Sequence, residues 1–326
     1  MRILVAGGGG FIGGHLVKSL VADGHDVRAV DVKPIEQWWQ VHPQVENWPG
    51  TDLMEAAACL KATTGVDQVY NLAADMGGMG FIENNKAACM LSVLISTHLL
   101  QAAVENDVER LFYASSACVY AAEHQTDPNV TALKEGDAYP AMPEDGYGWE
   151  KLFSERMARH FREDYGIQTR MARYHNVYGP NGSWTGGREK APAALCRKVA
   201  ECVVGGHREI DVWGDGEQTR SFMFVEDCVT GTRMLTDSDV TEPINIGSSE
   251  LVSINGLIDI ISDIAGISVE RVHDLSAPQG VRGRNSDNTM ILDQLGWEPS
   301  TSLRSGLEVT YAWVLDQVRS AAEAAA

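Results

Sequence analysis

The chain is expected to be α/β, with a parallel sheet wrapped by helices, and three observations predict this. Arg2-Ile3-Leu4-Val5-Ala6 is an apolar run of strand length that leads into Gly7-Gly8-Gly9-Gly10-Phe11-Ile12-Gly13. An amphipathic helix follows, with Leu16, Val17, Leu20 and Val21 at helical spacing, and Gly24-His25 ends it. Val27-Arg28-Ala29-Val30-Asp31 is then a second strand closing on an acid. Strand, glycine turn, helix and strand make a βαβ unit, and such units demand a parallel sheet. The fold class is therefore a Rossmann-type doubly wound sheet, joined to a smaller mixed α/β domain farther along.

The bulk properties bound the rest. A chain of 326 residues, 44% hydrophobic and 22% charged, can bury a large core in one or two domains. It carries 45 acids against 26 bases, a net charge of -19, which argues against nucleic acid as a partner. Cys59, Cys89, Cys118, Cys196, Cys202 and Cys228 are far apart, with no disulfide framework and no zinc spacing. No metal is expected. The apolar start is too short for a signal peptide, and no apolar run reaches membrane-spanning length. A soluble, cytoplasmic protein is the expectation.

In order along the chain, Gly7, Gly10 and Gly13 give the spacing G-x-x-G-x-x-G between strand and helix. Glycines there allow a tight turn and bring a helix N-terminus close to a pyrophosphate. Asp31 lies 18 residues past the last glycine, where an acid bonds adenosine ribose hydroxyls and repels a 2′-phosphate. NAD is thereby favoured over NADP. Residues 34–50 read as a loop or irregular crossover, with Trp38, Trp39 and Trp48 as packing residues. Residues 66–74 read as a strand ending at the cofactor's edge with Leu72, Ala73 and Ala74. The turn Gly77-Gly78-Met79-Gly80 offers bare backbone, either to a ligand or to a flexible loop. A long helix is predicted over 86–106, then a buried strand over 111–114.

The stretch from Ser115 to Lys151 carries the chemistry. Ser115-Ser116-Ala117-Cys118 leaves the strand, and 121–146, polar with several prolines, reads as a loop over the site. Tyr147 and Lys151 are four apart at the start of a helix and so share a face. An ammonium beside a phenol favours the phenolate, from an ordinary pKa of about 10. Such a phenolate can take a proton from a sugar hydroxyl while a hydride leaves the same carbon. The helix runs over 149–165 and a strand follows over 169–174.

From Asn176 the alternation loosens. The NAD-binding domain is assigned to 1–175 with a returning segment at about 210–237, and a second domain to 176–209 and 238–326. Basic residues gather at 188–198, at Arg220 and at 282–284. In an acidic chain that grouping suits a diphosphate, although solvated surface charge is the alternative. The Ala-rich tail at 321–326 is expected to fray.

Longer stretches carry a resemblance. They are Asn71 to Ile82, Ser115 to Cys118, His175-Asn176-Val177-Tyr178-Gly179-Pro180, Gly186 to Pro192, Trp213 to Ser221 and Gly280 to Asn288. Over nearly its whole length the chain resembles the extended short-chain dehydrogenases/reductases, and more narrowly the GDP-mannose 3,5-epimerase family. The resemblance implies a cytoplasmic homodimer that retains NAD and acts on GDP-mannose. It implies oxidation of the C4 hydroxyl with Tyr147 as base, supported by Lys151 and Ser116. Cys118 and Lys190 would exchange protons at C5 and C3 before the ketone is reduced. Dehydratase relatives carry an acidic pair where Ala117-Cys118 stands, which disfavours loss of water. By the same carry-over, Phe11, Ile12, Asp52 and Leu53 join the glycines and Asp31 at the cofactor. Gly77, Ser116, Ala117, Cys118, Asn176, Glu189, Lys190, Ala191, Lys198, Gln218, Thr219, Arg220 and Arg282 (or Arg284) would hold the substrate. The sequence departs from the family at Ala121, at Trp149 and in a longer 121–138 loop. Another nucleotide-sugar 4-epimerase, or a non-catalytic NAD-sensing protein, are the alternatives.

Overall fold

Apolar strands that bury both faces form the centre of the molecule, and the computed structural model describes residues 1–278 and 280–325. In chain order the first strands are β1 (Arg2–Ala6), β2 (Asp26–Val30), β3 (Glu46–Trp48), β4 (Gln68–Asn71), β5 (Arg110–Ser116) and β6 (Gln168–Tyr174). Between them lie α1 (Phe11–Ala22), α2 (Ala56–Thr63), α3 (Met79–Asn84), α4 (Lys86–Leu91), α5 (Val93–Glu105) and α6 (Tyr147–Tyr165). Side chains alternate across a strand, so Ile3 and Val5 enter one core cluster with Leu16, Val17 and Leu20. Leu4 and Ala6 enter another, on the opposite face, with Leu99 and Leu100.

The second half continues with β7 (Val177–Tyr178), α7 (Ala191–Gly205), β8 (Glu209–Trp213), β9 (Thr219–Ser221), β10 (Met223–Phe224) and α8 (Val225–Asp237). It ends with β11 (Ile244–Ile246), β12 (Leu251–Ser253), α9 (Ile254–Ala265), β13 (Glu270–Asp274), β14 (Gly283–Arg284), α10 (Thr289–Leu295) and α11 (Leu303–Ala325). The main sheet has seven strands in the order β11-β6-β5-β4-β1-β2-β3, and every pairing is parallel. The chain leaves β1 toward β2 on one side and returns to β4 on the other. A doubly wound sheet opens its ligand crevice at that reversal. Beside it, β12-β9-β14 form a three-stranded sheet and β13-β8 a parallel pair, while α7, α9 and α11 pack together.

Several boundaries differ from expectation, each for a local reason. Residues 46–48, read within a loop, form the edge strand β3 by pairing with β2; three residues show no periodicity of their own. The segment 210–213, placed with the first domain, pairs with β13 in the second. Within the expected return, α8 does pack on β6 and α1, and β11, placed with the second domain, adds to the main sheet by pairing with β6. The predicted helix 86–106 is α4 and α5 joined at Ser92. Contrary to the sequence reading, Lys86–Glu105 is long and apolar enough to cross a membrane by length and composition. Part of its apolar surface is taken up within the domain, where α5 packs on α2, α6 and β4, while Met90, Leu91 and Leu94 stay exposed. The tail is helical through Ala325, and Ala326 lies outside the described residues.

The 121–146 loop ties the two parts together. Leu133 N donates to Asn285 O at 3.0 Å, and Asp287 N donates back to Leu133 O at 3.1 Å. Beneath it lies a buried pair, in which Arg173 donates to both Glu155 oxygens at 2.9 and 2.7 Å. Arg173 also reaches Glu135 O at 2.8 Å, in the loop itself. Removing one partner of such a pair strands a buried charge. Arg173→Leu should therefore lower the unfolding free energy by about 3–5 kcal/mol. Urea denaturation checks this, and adding Glu155→Leu to the same chain should restore part of the loss.

Candidate active site

The cofactor cradle is built from backbone. Gly7 has φ +82°, and a Cβ on Gly13 would lie 2.0 Å from Gly7 O, so the turn closes only with hydrogen at that position. Gly10 caps α1 without any side-chain bond, which leaves the first N–H groups of the helix, from Phe11 and Ile12 on, aimed at the crevice. Leu72 and Ala73 extend β4 so that their backbone passes Gly7, with Leu72 N bonded to Ala6 O at 3.0 Å, and Ala74 follows. Asp31 is buried at the end of β2, and its Oδ1 accepts from Lys33 N at 3.0 Å. Asp52 accepts from Met54 N at 2.8 Å, and Leu53 beside it is buried. Trp38, read as packing, lies against Gly9. A bare helix N-terminus, a turn without Cβ atoms and an acid at the end of β2 fit NAD.

The residues expected to carry the chemistry gather where β5 ends and α6 begins. Ser116 Oγ accepts from Cys118 N at 3.2 Å, holding Ala117 and Cys118 in a short turn. Cys118 packs with Tyr147, Cys89 and Ile82. Lys190 caps α7, its amine electrostatically coupled to Cys118 and Cys228; burial lowers its pKa, which makes a neutral, proton-accepting amine more available. A strap positions it: Arg188 binds Asp75 Oδ1 at 2.7 Å and lies 3.8 Å above the Phe81 ring. Gly78 faces Glu189, where an added Cβ would lie 2.4 Å from Glu189 O, so this glycine turn admits the strap. Gly77 precedes it.

One expectation is corrected here. Lys151 was read as the group that favours the Tyr147 phenolate. Its ammonium lies 5.4 Å from the Tyr147 ring centroid but is paired with Glu150 Oε2 at 3.4 Å. Burial first, then Cys118 and Glu150, push the Tyr147 phenol well above its ordinary value, while a hydrogen bond with Ser116 opposes them.

The remaining predicted residues line the second domain's side. Asn176, at φ +44°, donates to Ser221 O at 3.0 Å. Gln218 is buried and donates to Trp213 O at 3.0 Å, leaving its Oε1 without a hydrogen-bond partner. Thr219 donates to Pro128 O. Arg220 donates to Val281 O at 2.6 Å, and burial pushes its pKa down to about 10, with Cys118 opposing. Lys198 Nζ donates to Asp211 O at 2.5 Å, and burial lowers its pKa too. Glu189 accepts from Gly187 N at 2.7 Å, and Ala191 starts α7. The two arginines left open are separated: Arg282 pairs with Asp215 at 2.9 Å near the surface. Arg284 is buried, binding Gln125 Oε1 at 2.6 Å, Cys118 Sγ at 3.7 Å and Glu144. The sequence reading does not reach Gln125, Glu144 and Glu150, because a loop amide, a loop acid and an acid in the first turn of a helix read as surface. Among the described residues no group of three or more His, Cys, Asp or Glu could hold a metal.

This chain belongs to the NAD dependent epimerase/dehydratase family, whose family model matches residues 3–247. It is an isomerase-class, NAD-dependent sugar-nucleotide epimerase. Within that class it is similar to GDP-mannose 3,5-epimerase 1 of Oryza sativa subsp. japonica, 48% identical over 98% of this chain and 82% of the relative. GDP-mannose 3,5-epimerase of Arabidopsis thaliana is 45% identical over 98% and 83%. The fold is shared with UDP-glucose 4-epimerase of Thermotoga maritima, solved with UDP-glucose (TM-score 0.87, 25% identity, 98% of this chain and 100% of that one). UDP-glucuronic acid 4-epimerase of Bacillus cereus, solved with UDP-glucuronic acid and NAD, gives a TM-score of 0.82 at 25% identity, covering 97% and 100%.

The turn yields a direct test. Gly13→Ala puts a methyl against Gly7 O, which must move the backbone that faces the pyrophosphate. NAD affinity, measured by calorimetry, should fall at least about tenfold, with a melting loss reflecting about 1–3 kcal/mol of overpacking.

Proposed function

We propose that the chain epimerises GDP-mannose at C3 and C5, giving GDP-L-galactose, GDP-L-gulose or both. The observation that carries this reading is Cys118 packed against Tyr147, with Lys190 at the start of α7 near enough to feel the charge of that sulfur. Tyr147 takes the proton of the C4 hydroxyl, with Ser116 hydrogen-bonded to it and Lys151 over its ring. NAD, which the Gly7–Gly13 turn and Asp31 would hold, would supply hydride-accepting and hydride-donating chemistry at C4. A C4 ketone acidifies the hydrogens on both neighbouring carbons, so one oxidation permits two inversions. Each inversion needs one group to remove a proton and another to deliver one. The Lys190 amine, its pKa lowered by burial, and the Cys118 thiol are groups suited to that exchange. Arg220, Lys198 and Arg282 are the cations suited to the diphosphate.

A 4-epimerase is the second reading, favoured by the likeness to the UDP-sugar 4-epimerases. It needs neither Cys118 nor Lys190. A homodimer is proposed through Met90, Leu91 and Leu94 on α4 and α5 and Trp149 and Phe153 on α6, all exposed apolar side chains. Sedimentation of Leu94→Glu/Phe153→Glu should show monomer where the native chain shows dimer.

GDP-mannose incubated with the enzyme in heavy water and read by NMR tests the main reading. Deuterium at C3 and C5 is expected. Cys118→Ser should lose that label by at least about a hundredfold, the scale of general acid–base catalysis, while C4 oxidation persists. Inversion at C4 without label at either carbon would establish the 4-epimerase instead.

A further inference from the structure

Glu150 is a buried carboxylate in the first turn of α6. Successive residues on a helix point about 100° apart, so Glu150 and Lys151 do not face each other by helix geometry alone. They meet because both side chains fold in against β5. Glu150 Oε1 accepts from Tyr113 OH at 3.1 Å and from Ser154 Oγ at 3.0 Å, and Oε2 lies 3.4 Å from Lys151 Nζ. The ammonium in turn lies 4.9 Å from the Tyr113 ring centroid and 5.4 Å from that of Tyr147. A buried charge is costly unless paired and hydrogen-bonded, and this one is both.

We propose that Glu150 is a positioning residue, whose carboxylate clamps the Lys151 ammonium between the two phenol rings and sets the pH at which Tyr147 ionises. This rests on Tyr147 as the group that exchanges the C4 hydroxyl proton. The groups around Glu150 come from every packed element. From α6 these are Tyr147, Lys151 and Ser154; from β5, Tyr113; from α4, Cys89; from the 117–119 turn, Cys118. β6 turns Arg173 to Glu155, one helical turn on, and α5 packs Thr97 against Met157. The Glu150 charge is one of the causes, after burial, that push Tyr147, Tyr113 and Cys89 upward. Removing it leaves the ammonium acting on the phenol alone, so the phenolate gains.

Glu150→Gln keeps an oxygen for Tyr113 and Ser154 and deletes the charge. In the NAD-loaded protein, phenolate absorbance is followed against pH, subtracting Tyr147→Phe in each background; no sugar nucleotide is required. The Tyr147 midpoint should fall by roughly one pH unit in Glu150→Gln, and stay near the native value in Glu150→Asp, which keeps the charge. A midpoint unmoved or raised in Glu150→Gln overturns the proposal. If Glu150→Gln fails to fold, Tyr113→Phe decides. It strips a donor from the carboxylate, and the midpoint should rise; an unmoved midpoint overturns the proposal. The acid limb of kcat/KM on GDP-mannose should follow the phenol. A phenol that moves while that limb stays put supports the Glu150 assignment and removes Tyr147 from its role as base.

Discussion

The structure depends on one steric constraint at the switch point of the sheet. β1 has β2 on one side and β4 on the other, and the chain must turn from β1 into α1 in the space between. The turn works because Gly13 comes so close to Gly7 O that no side chain fits. That closeness puts the open end of α1 over the crevice, with Asp31 at one edge and the β4 extension at the other. Everything that happens to a sugar is then measured from the position of the bound dinucleotide.

Opposite the cradle, the catalytic corner gathers buried charge at a density that a soluble core usually avoids. Lys151, Glu150, Arg173, Glu155 and Arg284 are all nearly inaccessible, and each has an ionic or hydrogen-bonded partner. Pairing offsets the desolvation, but it also fixes geometry, since a charge that leaves its partner is stranded. Tyr147 and Cys118 sit inside this frame. The proton affinity of Tyr147 is therefore set by burial first and then by its neighbours.

Much of this was legible in the chain. β1, α1 and β2 follow from periodicity and glycine spacing, and the Tyr147–Lys151 pair from helix geometry. β3 was not legible, because three residues of edge strand owe their state to β2. The assignment of 210–213 failed for a related reason: alternation tells that a strand is half-buried, not which sheet receives it. Lys151 was placed correctly on the Tyr147 face, yet its strongest partner was hidden, since a glutamate one position earlier reads as solvent-facing. Arg282 and Arg284 differ by two residues and are equivalent on paper. Contacts far away in sequence distinguish them: Arg284 turns in to the Gln125 side chain, Cys118 and Glu144, while Arg282 turns out to Asp215.

Gln125 also bears on how this enzyme can vary. Its backbone oxygen receives Arg282 N at 2.9 Å, and its side chain receives Arg284 Nε at 2.6 Å. The 121–146 loop thus acts as a ruler, whose count of residues decides where a guanidinium stands relative to the Cys118 sulfur. Most surface connections drift freely in length among relatives. This one is tied at Gln125, at Leu133 and again near its end, where Glu144 pairs with Arg284 and its N–H donates to Cys118 O, so a residue gained or lost ahead of Gln125 retunes the pocket.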